Sequence, residues 1–427
     1  MAVPTGPRGT RDFYPEDMAF QQFIFDSWRK SSEKYGFEQC EGPMFEHLEV
    51  YSKKSGNEIE KQLYSFEDKG GRSLSLRPEL TPTVARMVAS RGTNLKRPVR
   101  WYSIPRLFRY EKMQRGRLRE FFQLNMDLLG IEDVSADAEL IAASISMMRD
   151  FGFSSQDFKA RISSRTLLEE LFESIGIPKT RHGALYALLD KKHKIPSDIY
   201  DVELEKTVGD CCIRDKVKNI FSLVSLDEVE EKFGLLPSVK NLKHLFSLLN
   251  SYGMKDYTVF DIGIVRGLAY YTGVVFELFD VDKSMRAIAG GGRYDTLIKL
   301  YGGPPTPAVG FAAGDVVLGD FLKEKGIQPP LPPRSDIFLV SINISYDEII
   351  KTAQILRQNS ISCEFSLREN IAVGKQLKAA NAARAKYVLF VGGEEYNEGK
   401  LRLKDMETGS EELFVSSDLI SIILKKL

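Results

Sequence analysis

Hydrophobic and polar residues alternate strictly along residues 122–128, FQLNMDL, directly after Phe121. Because successive side chains of a β-strand point to opposite faces, this alternation predicts a strand with two different faces. One face would pack into the core through Phe122, Leu124, Met126 and Leu128. The other would present Phe121, Gln123, Asn125 and Asp127. An ordinary half-buried strand with a solvated face is the alternative.

Other stretches before residue 325 are also rich in β-branched and aromatic residues, notably VRWYSIPRLFRY and DYTVFDIGIV. Turns and long loops separate them, which favours a largely antiparallel sheet. Residues from about Thr166 to Leu249 contain few such stretches and carry Leu, Lys and Glu at helical spacing. We therefore expect an α+β domain over residues 1–325 with a helical insertion at about 166–249.

A proline-rich segment, GIQPPLPPRS, follows at residues 326–335 and contains four prolines. Proline cannot continue a helix or sit in a central strand, so this segment predicts a stiff linker. Beyond it, the apolar stretches DIFLVSI, ISCEFSL and KYVLFVGG alternate with two helical patterns. This βαβ order predicts a small α/β domain with parallel strand pairs over residues 336–427.

Composition changes this picture little. With 43% hydrophobic residues, a chain of 427 residues can bury more than one core. Its 59 basic and 59 acidic residues cancel, so a polyanion would have to be met by local patches. The chain has no run of about 18 apolar residues, and its first residues have no signal-peptide pattern. We expect no membrane span and a cytoplasmic location.

The cysteines and histidines do not form a recognisable metal-ligand pattern. The chain has four of each, without paired CxxC spacing among the cysteines and with the histidines scattered. Structural zinc sites and disulfide frameworks normally show such spacing. We therefore expect neither, and no metal held by protein side chains.

A basic loop precedes the alternating strand. Lys112, Arg115, Arg117 and Arg119 surround Gly116. Like charges this close together are unfavourable unless an anion neutralises them, so the loop predicts contact with a triphosphate or with nucleic-acid phosphate.

Two prolines shape the segment SLRPELTPTVARMV, residues 75–88. They place Glu79 and Thr81 in a turn between a strand and a helix. Helix capping is one interpretation of Thr81. Glu79 would be a suitable acceptor for an ammonium group, since a carboxylate forms a charge-assisted hydrogen bond with it.

Glycines and arginines mark two further stretches. Three consecutive glycines precede Arg293 in AIAGGGRYD. They would let the backbone approach a ligand closely, although a flexible turn fits as well. Arg266 follows the apolar stretch DIGIV, and a guanidinium at the end of a buried strand requires an anionic partner. A structural salt bridge is the alternative.

Taken together, these stretches resemble the histidyl-tRNA synthetases, a family of class II aminoacyl-tRNA synthetases, across essentially the full chain. GFEQCEGPMFE resembles motif 1, RYEKMQRGRLREFFQ resembles motif 2, and GGGRYD with PAVGFAAG resembles the approach to motif 3. RGLAYYTG is close to a signature of the histidine enzymes. The resemblance implies the class II antiparallel catalytic sheet, a C-terminal anticodon-binding domain, and a homodimer with Pro43 at its interface.

The resemblance also implies substrates and site residues. The substrates are ATP with Mg²⁺, L-histidine and tRNA(His). Arg266 and Arg109 would act on the α-phosphate as catalytic residues. The implied ATP-binding residues are Arg109, Glu111 at the adenine edge, Arg117 at the γ-phosphate, Phe121 on the adenine ring, and Arg293. The implied histidine-binding residues are Glu79, Thr81, Arg109, Gln123, Asp127, Arg266, Tyr270 and Tyr271, with Asp127 and Tyr271 on the imidazole. The implied tRNA contacts are Lys112, Gln114 and Lys375.

The chain departs from the family pattern at two positions. Val317 stands where motif 3 usually has an ATP-binding arginine, and Ala269 replaces an acidic residue in RGLAYYTG. We expect Arg117 or Arg293 to compensate for Val317. The alternative function is a non-catalytic, histidine-binding paralogue that resembles the regulatory subunit of ATP phosphoribosyltransferase. Such proteins normally lack the C-terminal domain, so an active synthetase is the preferred interpretation. A threonyl or prolyl enzyme is disfavoured because the chain has RGLAYYTG and no zinc-site pattern.

Overall fold

The computed structural model describes residues 3–52, 61–192, 195–266, 270–282 and 285–427. The chain forms two compact units, Met1–Pro329 and Pro330–Leu427. The boundary between them therefore falls inside the proline-rich segment.

The first unit contains twelve described strands. They are β1 (Glu38–Gln39), β2 (Phe45–His47), β3 (Tyr64–Glu67), β4 (Ser73–Leu76), β5 (Val99–Ser103), β6 (Arg106–Phe108), β7 (Glu120–Leu129), β8 (Phe158–Ser164), β9 (Thr258–Phe260), β10 (Val274–Asp280), β11 (Ala289–Arg293) and β12 (Ala308–Gly314).

Nine of these strands form the main sheet, in the order β1-β5-β7-β12-β11-β10-β8-β9, with β6 also paired to β7. Only the outer pairs β1–β5 and β8–β9 are parallel, and all the others are antiparallel. The remaining strands form a small sheet in the order β2-β4-β3. The predicted antiparallel α+β class is confirmed.

Twelve described helices belong to this unit. They are α1 (Pro15–Lys34), α2 (Leu48–Ser52), α3 (Thr81–Arg91), α4 (Ser135–Asp150), α5 (Arg165–Ser174), α6 (Lys179–Lys191), α7 (Ser197–Val208), α8 (Cys211–Phe221), α9 (Leu226–Phe233), α10 (Pro237–Ser251), α11 (Leu297–Leu300) and α12 (Asp315–Glu324), with short 3₁₀ turns at Gly92–Asn94 and Lys255–Tyr257.

Strand β7 shows the two faces that its alternation predicts. Leu124, Met126 and Leu128 are buried in the largest hydrophobic core. On the same face, Phe122 contacts Phe25 edge-on, with ring centroids 4.9 Å apart. The opposite face carries the polar side chains, so the strand joins the core to the site described below.

The segment between β8 and β9 is helical throughout its described part, from α5 to α10. Leucines at helical spacing, such as Leu167, Leu168 and Leu171, are buried there. Polar side chains start several of the helices: Ser164 caps α5, Asp210 caps α8 and Ser225 caps α9 by accepting backbone N–H bonds.

The second unit has a five-stranded sheet in the order β14-β13-β15-β16-β17. Its strands are β13 (Ile337–Ile342), β14 (Cys363–Phe365), β15 (Tyr387–Gly392), β16 (Lys400–Asp405) and β17 (Glu411–Val415); its helices are α13 (Tyr346–Gln358), α14 (Val373–Ala382), α15 (Gly393–Asn397) and α16 (Leu419–Lys426), with a 3₁₀ turn at Ser416–Asp418.

Strands β13, β14 and β15 are parallel, as the βαβ pattern predicts. The antiparallel strands β16 and β17 are additional to that prediction. Their sequences, KLRLKD and EELFV, carry charged residues that are half-buried in β16 and exposed in β17, so their apolar content is too low to mark them as strands. Across the described residues, no helix is both long and apolar enough to cross a membrane.

Candidate active site

The carboxylate of Glu79 is buried in the turn between β4 and α3, with only 4% of the residue exposed. The Tyr270 hydroxyl donates a 2.8 Å hydrogen bond to Glu79 Oε2. The other oxygen, Oε1, is buried and has no partner among the described residues. Burial raises the pKa of Glu79, while the charges of Arg109 and Arg266 and the Tyr270 hydrogen bond oppose that rise. Glu79 Oε1 is therefore a buried hydrogen-bond acceptor that no described donor satisfies.

Thr81 begins helix α3 but does not cap it. The N-cap residue is Leu80, and no side chain caps the helix. The capping interpretation of Thr81 is therefore wrong. Burial and the charge of Glu79 raise the pKa of Tyr270 well above its usual value, and a hydrogen bond with Thr81 acts in the opposite direction. Thr81 thus lies beside the phenol that holds Glu79.

Asp127 occupies the polar face of β7 and is fully enclosed. Tyr294 donates a 2.5 Å hydrogen bond from its hydroxyl to Asp127 Oδ1. Burial raises the pKa of Asp127 to about 7, although the hydrogen bond from Tyr294 lowers it. On the neighbouring strand, a Cβ on Gly310 would lie 2.2 Å from Asp127 Oδ1, so the carboxylate needs glycine there.

Tyr294 was not among the residues predicted from the sequence, which paired Asp127 with Tyr271. The signal that could have found it is its place directly after β11, in GGGRYD, where its backbone N–H bonds to Ala308 at the start of β12. The ring of Tyr294 meets that of Tyr270 edge-on at 6.0 Å. The Glu79 and Asp127 clusters are thus joined through aromatic rings.

Arg266 has a left-handed backbone with φ of 50°. Its Nη1 lies 3.3 Å from Glu277 Oε1, and its Cζ lies 5.7 Å from the ring centroid of Tyr271. Arg266 therefore forms the structural salt bridge that was the alternative interpretation, with Glu277 as its partner. At 3.3 Å the pairing is loose, and it does not exclude an anionic ligand. Ala269, expected to alter the surroundings of Arg266, lies outside the described residues.

The glycines before Arg293 make room for side chains of the site. A Cβ on Gly290 would lie 1.6 Å from Arg266 Nη1, and one on Gly292 would lie 2.9 Å from Tyr271 Cδ1. Real Cβ atoms do not approach other atoms so closely. The flexible-turn interpretation is wrong, because these glycines lie in β11, a buried central strand.

Arg109 connects Glu79 to the aromatic end of β7. Its Nε donates a 2.8 Å hydrogen bond to the carbonyl of Pro78. Its Cζ lies 5.3 Å from the ring centroid of Phe121. Gln123, two residues further along the same strand face, is half-buried. Residues from motif 2 and from the LRPELT turn are thus brought together.

The basic loop forms a tight turn in which the backbones of Gln114 and Arg117 pair. Two of its arginines have carboxylate partners within the protein. Arg117 forms a 2.5 Å ion pair with Glu111, and Arg115 forms a 2.9 Å ion pair with Glu324 at the surface. These two charges are neutralised without an external anion, and contact of the loop with a phosphate stays a prediction.

Arg293 is held entirely by the protein. Its Nε and Nη2 bind the carboxylate of Asp137, Nη2 also binds the Asp133 carbonyl, and Nη1 binds the Ile131 carbonyl and Asp295. A guanidinium has five N–H donors, and these acceptors use all of them. The structure thus argues against direct ATP binding by Arg293 and against its compensating for Val317.

Two residues of the segment GDVVL, Asp315 and Val317, have structural roles. Asp315 is buried, accepts a 2.9 Å hydrogen bond from the backbone N–H of Phe122, and forms a 2.6 Å ion pair with Arg11. Val317 packs at the basic loop, where a Cβ on Gly116 would lie 3.0 Å from Val317 Cγ2. Position 317 therefore supports the loop through an apolar contact.

The second unit has its own cavity of about 340 Å³ near the carboxyl ends of β13 and β14. Tyr346, Phe365, Arg368 and Gln376 are among the residues that line it. The predicted contact Lys375 is exposed in the first turn of α14, next to Gln376. Ligands of parallel sheets commonly bind at this edge.

Comparisons with known proteins agree with this geometry. A histidyl-tRNA synthetase family model matches residues 9–315, and an anticodon-binding domain model matches residues 336–426. The chain belongs to the histidyl-tRNA synthetase family.

Curated relatives and solved structures cover the chain almost completely. A histidine–tRNA ligase from Opitutus terrae is 39% identical, over 94% of each chain. The chloroplastic/mitochondrial histidine–tRNA ligase of Arabidopsis thaliana is 38% identical, over 97% of this chain and 85% of its own length. The crystal structure of histidyl-tRNA synthetase from Nostoc sp. PCC 7120 aligns over 100% of both chains, with a TM-score of 0.81 and 25% identity.

The predicted family, fold class and aminoacyl-tRNA ligase activity are thereby confirmed. A Bacillus halodurans structure described as an ATP phosphoribosyltransferase regulatory subunit/histidyl-tRNA synthetase also aligns, with a TM-score of 0.73 over 89% of this chain. The full-length ligase relatives and the matched anticodon-binding domain nevertheless favour the synthetase over the regulatory alternative.

Proposed function

We propose that this chain joins L-histidine to ATP, forming histidyl-adenylate and pyrophosphate, and then transfers the histidyl group to the terminal ribose hydroxyl of tRNA(His). The observation that carries the site assignment is the unpartnered buried oxygen of Glu79. Leaving such an acceptor unsatisfied is unfavourable, and the α-ammonium group of an amino acid brings three donors. Tyr270 bonds to the same carboxylate and Thr81 lies beside that phenol, which supports the pocket, and the resemblance adds Gln123.

The imidazole ring of histidine fits the Asp127 cluster. A carboxylate accepts a ring N–H, and a phenol can donate to or accept from the second nitrogen. The resemblance assigns that phenol to Tyr271. The bond between Tyr294 and Asp127 adds a second phenol, which would orient the carboxylate. An apolar amino acid of similar size would leave these buried groups without partners, and this gives the site its selectivity.

Arg109 and Arg266 would stabilise the charge that develops in the first step. A carboxylate oxygen of histidine attacks the α-phosphorus, and pyrophosphate leaves with the electrons of the broken P–O bond. Negative charge grows on the α-phosphate oxygens, where fixed guanidinium groups are most effective. Phe121 would stack on the adenine, Glu111 would bind the adenine edge, and Arg117 would bind the γ-phosphate.

Mg²⁺ would enter with ATP as part of the substrate. We assign it no dedicated side-chain ligands. The described residues include one group of three potential ligands, Asp210, Cys211 and Cys212, exposed at the start of α8. The Asp210 carboxylate caps that helix by accepting the backbone N–H groups of Cys212 and Ile213, which is a sufficient structural role.

We further propose that the chain works as a homodimer through the small sheet. Pro43 is exposed, and Met44, Phe45 and Phe66 nearby are 47%, 51% and 44% exposed. Apolar side chains of this size commonly mark a protein interface. Sedimentation of the wild type and of Phe45→Glu tests this proposal, which predicts a dimer and a monomer respectively.

For tRNA, we propose Lys112 and Gln114 at the acceptor end and Lys375 near the anticodon. All three side chains are exposed, as phosphate or base contacts require. We propose the cytoplasm as the working compartment, which fractionation of the producing cells would test.

Histidine-dependent ATP–pyrophosphate exchange, followed by charging of tRNA(His), tests the central proposal. The wild type should exchange only with histidine, and Arg266→Ala should lose at least about a hundredfold in kcat/KM, because an electrostatic donor to the α-phosphate is removed. A wild type that binds histidine but never exchanges would support the regulatory alternative. Equal rates for Arg266→Ala and wild type would refute the role of Arg266.

A further inference from the structure

Arg286 lies just before β11 and beside the basic loop. A Cβ on Gly116 would lie 3.8 Å from Arg286 Cδ and 3.0 Å from Val317 Cγ2. Arg286 and Val317 therefore flank the same glycine turn. Val317 is the residue that occupies the position of the family arginine, so Arg286 lies close to that position.

The surroundings of Arg286 contain charges of both signs. Partial burial and the charge of Arg117 lower the pKa of Arg286, while Glu111, Glu277 and Asp190 act in the opposite direction. Glu111 already pairs with Arg117, and Glu277 with Arg266. These two carboxylates are thus shared among three guanidinium groups.

Within the described part of the chain, Arg286 itself forms no ion pair or hydrogen bond. Its side chain is exposed, so the guanidinium is open to a ligand. This contrasts with Arg115 in the same loop, whose charge is paired with Glu324, and with Arg293, whose donors are all used. An accessible guanidinium with unused donors, close enough to feel the charge of Arg117, is suited to a multivalent anion.

We propose that Arg286 supplies the phosphate-binding charge that position 317 lacks, by contacting the β- and γ-phosphates of ATP together with Arg117. This inference rests on the proposed function, since it places the phosphates over the basic loop. A guanidinium binds phosphate oxygens in a bidentate manner, so Arg286 can replace the absent arginine from its own place beside the turn. Val317 then keeps the turn in place by packing on Gly116.

Exchange kinetics with Arg286→Ala, Arg286→Lys and the matched loop control Arg115→Ala test the inference. For Arg286→Ala the KM for ATP should rise at least about tenfold, while the KM for histidine should stay within about twofold. Arg286→Lys should be intermediate, because it keeps the charge but not the bidentate geometry. Arg115→Ala should resemble the wild type.

Inhibition by AMP locates the contact on the phosphate chain. AMP lacks the β- and γ-phosphates, so its inhibition constant should change less than about twofold in Arg286→Ala. One contrary result is a wild type that exchanges while Arg286→Ala keeps an unchanged KM for ATP, and another is an Arg286→Ala variant that binds ATP and AMP more weakly by the same factor. Either result would overturn the role of Arg286 and leave the proposed function standing. A wild type without histidine-dependent exchange would overturn the proposed function as well. Melting curves of the variants check that folding is intact, and Arg286→Lys is judged by the same criteria if Arg286→Ala is unstable.

Discussion

The Tyr294 hydroxyl donates a 2.5 Å hydrogen bond to Asp127 inside a fully enclosed cluster. Burial disfavours the ionised form of Asp127 and raises its pKa to about 7, and only the hydrogen bond from Tyr294 opposes that shift. Such a group lowers the stability of the fold and is retained where it serves a ligand. Replacing Asp127 should therefore change the stability of the fold and the binding of histidine in opposite directions.

Asp127→Asn should stabilise the protein and weaken histidine binding. The ordinary pKa of 3.8 would apply in the unfolded chain and about 7 in the folded one. The folded state thus holds an extra proton between these values, and wild-type stability falls as pH rises from about 4 to 7. The variant lacks this loss, so its advantage in unfolding free energy should grow over that range to between about 1 and 4 kcal/mol.

Denaturant unfolding at pH 5, 7 and 8 measures this advantage, and exchange kinetics give the KM for histidine. Tyr294→Phe is the control, because it removes the hydrogen bond and keeps the carboxylate. A wild type and an Asp127→Asn variant whose stabilities depend identically on pH would contradict the elevated pKa of Asp127.

Glu79→Gln should impair amino-acid binding without unfolding the protein. Glutamine keeps an oxygen for the Tyr270 hydroxyl, yet its neutral amide cannot offer a charged acceptor to the α-ammonium group. The KM for histidine should rise at least about tenfold, with the KM for ATP changed less. Tyr270→Phe, which leaves the carboxylate in place, should have a smaller effect. Equal histidine KM values for Glu79→Gln and wild type would remove Glu79 from the pocket.

The sequence was most informative where the pattern was local. The faces of β7 follow from alternation, and the turn position of Glu79 follows from two flanking prolines. Partners brought in by other strands were harder to predict, since the bond between Tyr294 and Asp127 spans 167 positions. The ion pair of Arg115 was hard to predict for the same reason, because Glu324 lies 209 positions away from it. The resemblance supplied the candidate residues, and the fold showed which of them have partners within the protein.

Gly290→Ala should inactivate the enzyme through Arg266. A Cβ there would lie 1.6 Å from Arg266 Nη1, so the guanidinium must leave its position over β11. Exchange should fall at least about a hundredfold, close to the loss expected for Arg266→Ala. Gly183→Ala is the matched control: it lies in α6 and its Cβ would meet nothing within 4 Å. Because alanine favours helix over glycine, this control should be active and slightly more stable.

Arg293→Ala should damage the fold rather than ATP binding. Arg293 and Asp137 are paired in the core, with side chains 9% and 1% exposed. Removing the arginine leaves Asp137 buried without its counter-charge, which typically costs about 3–5 kcal/mol. The folded fraction should keep its KM for ATP within about twofold, because no donor of Arg293 is available to the nucleotide.

A double-mutant cycle with Asp137→Ala separates these explanations. If the pair acts as a structural unit, Arg293→Ala combined with Asp137→Ala should be less destabilised than the sum of the two single variants, by about 1–3 kcal/mol. Unfolding curves of the four proteins give this coupling energy, and exchange at varied ATP concentration gives the KM. The opposite result would be an additive cycle together with a tenfold or larger rise in the ATP KM of Arg293→Ala, which is the effect expected from the loss of a charged hydrogen bond. That result would show that Arg293 binds the nucleotide. Arg293 would then be an alternative to Arg286 as the arginine that binds the ATP phosphates in place of the one missing at position 317.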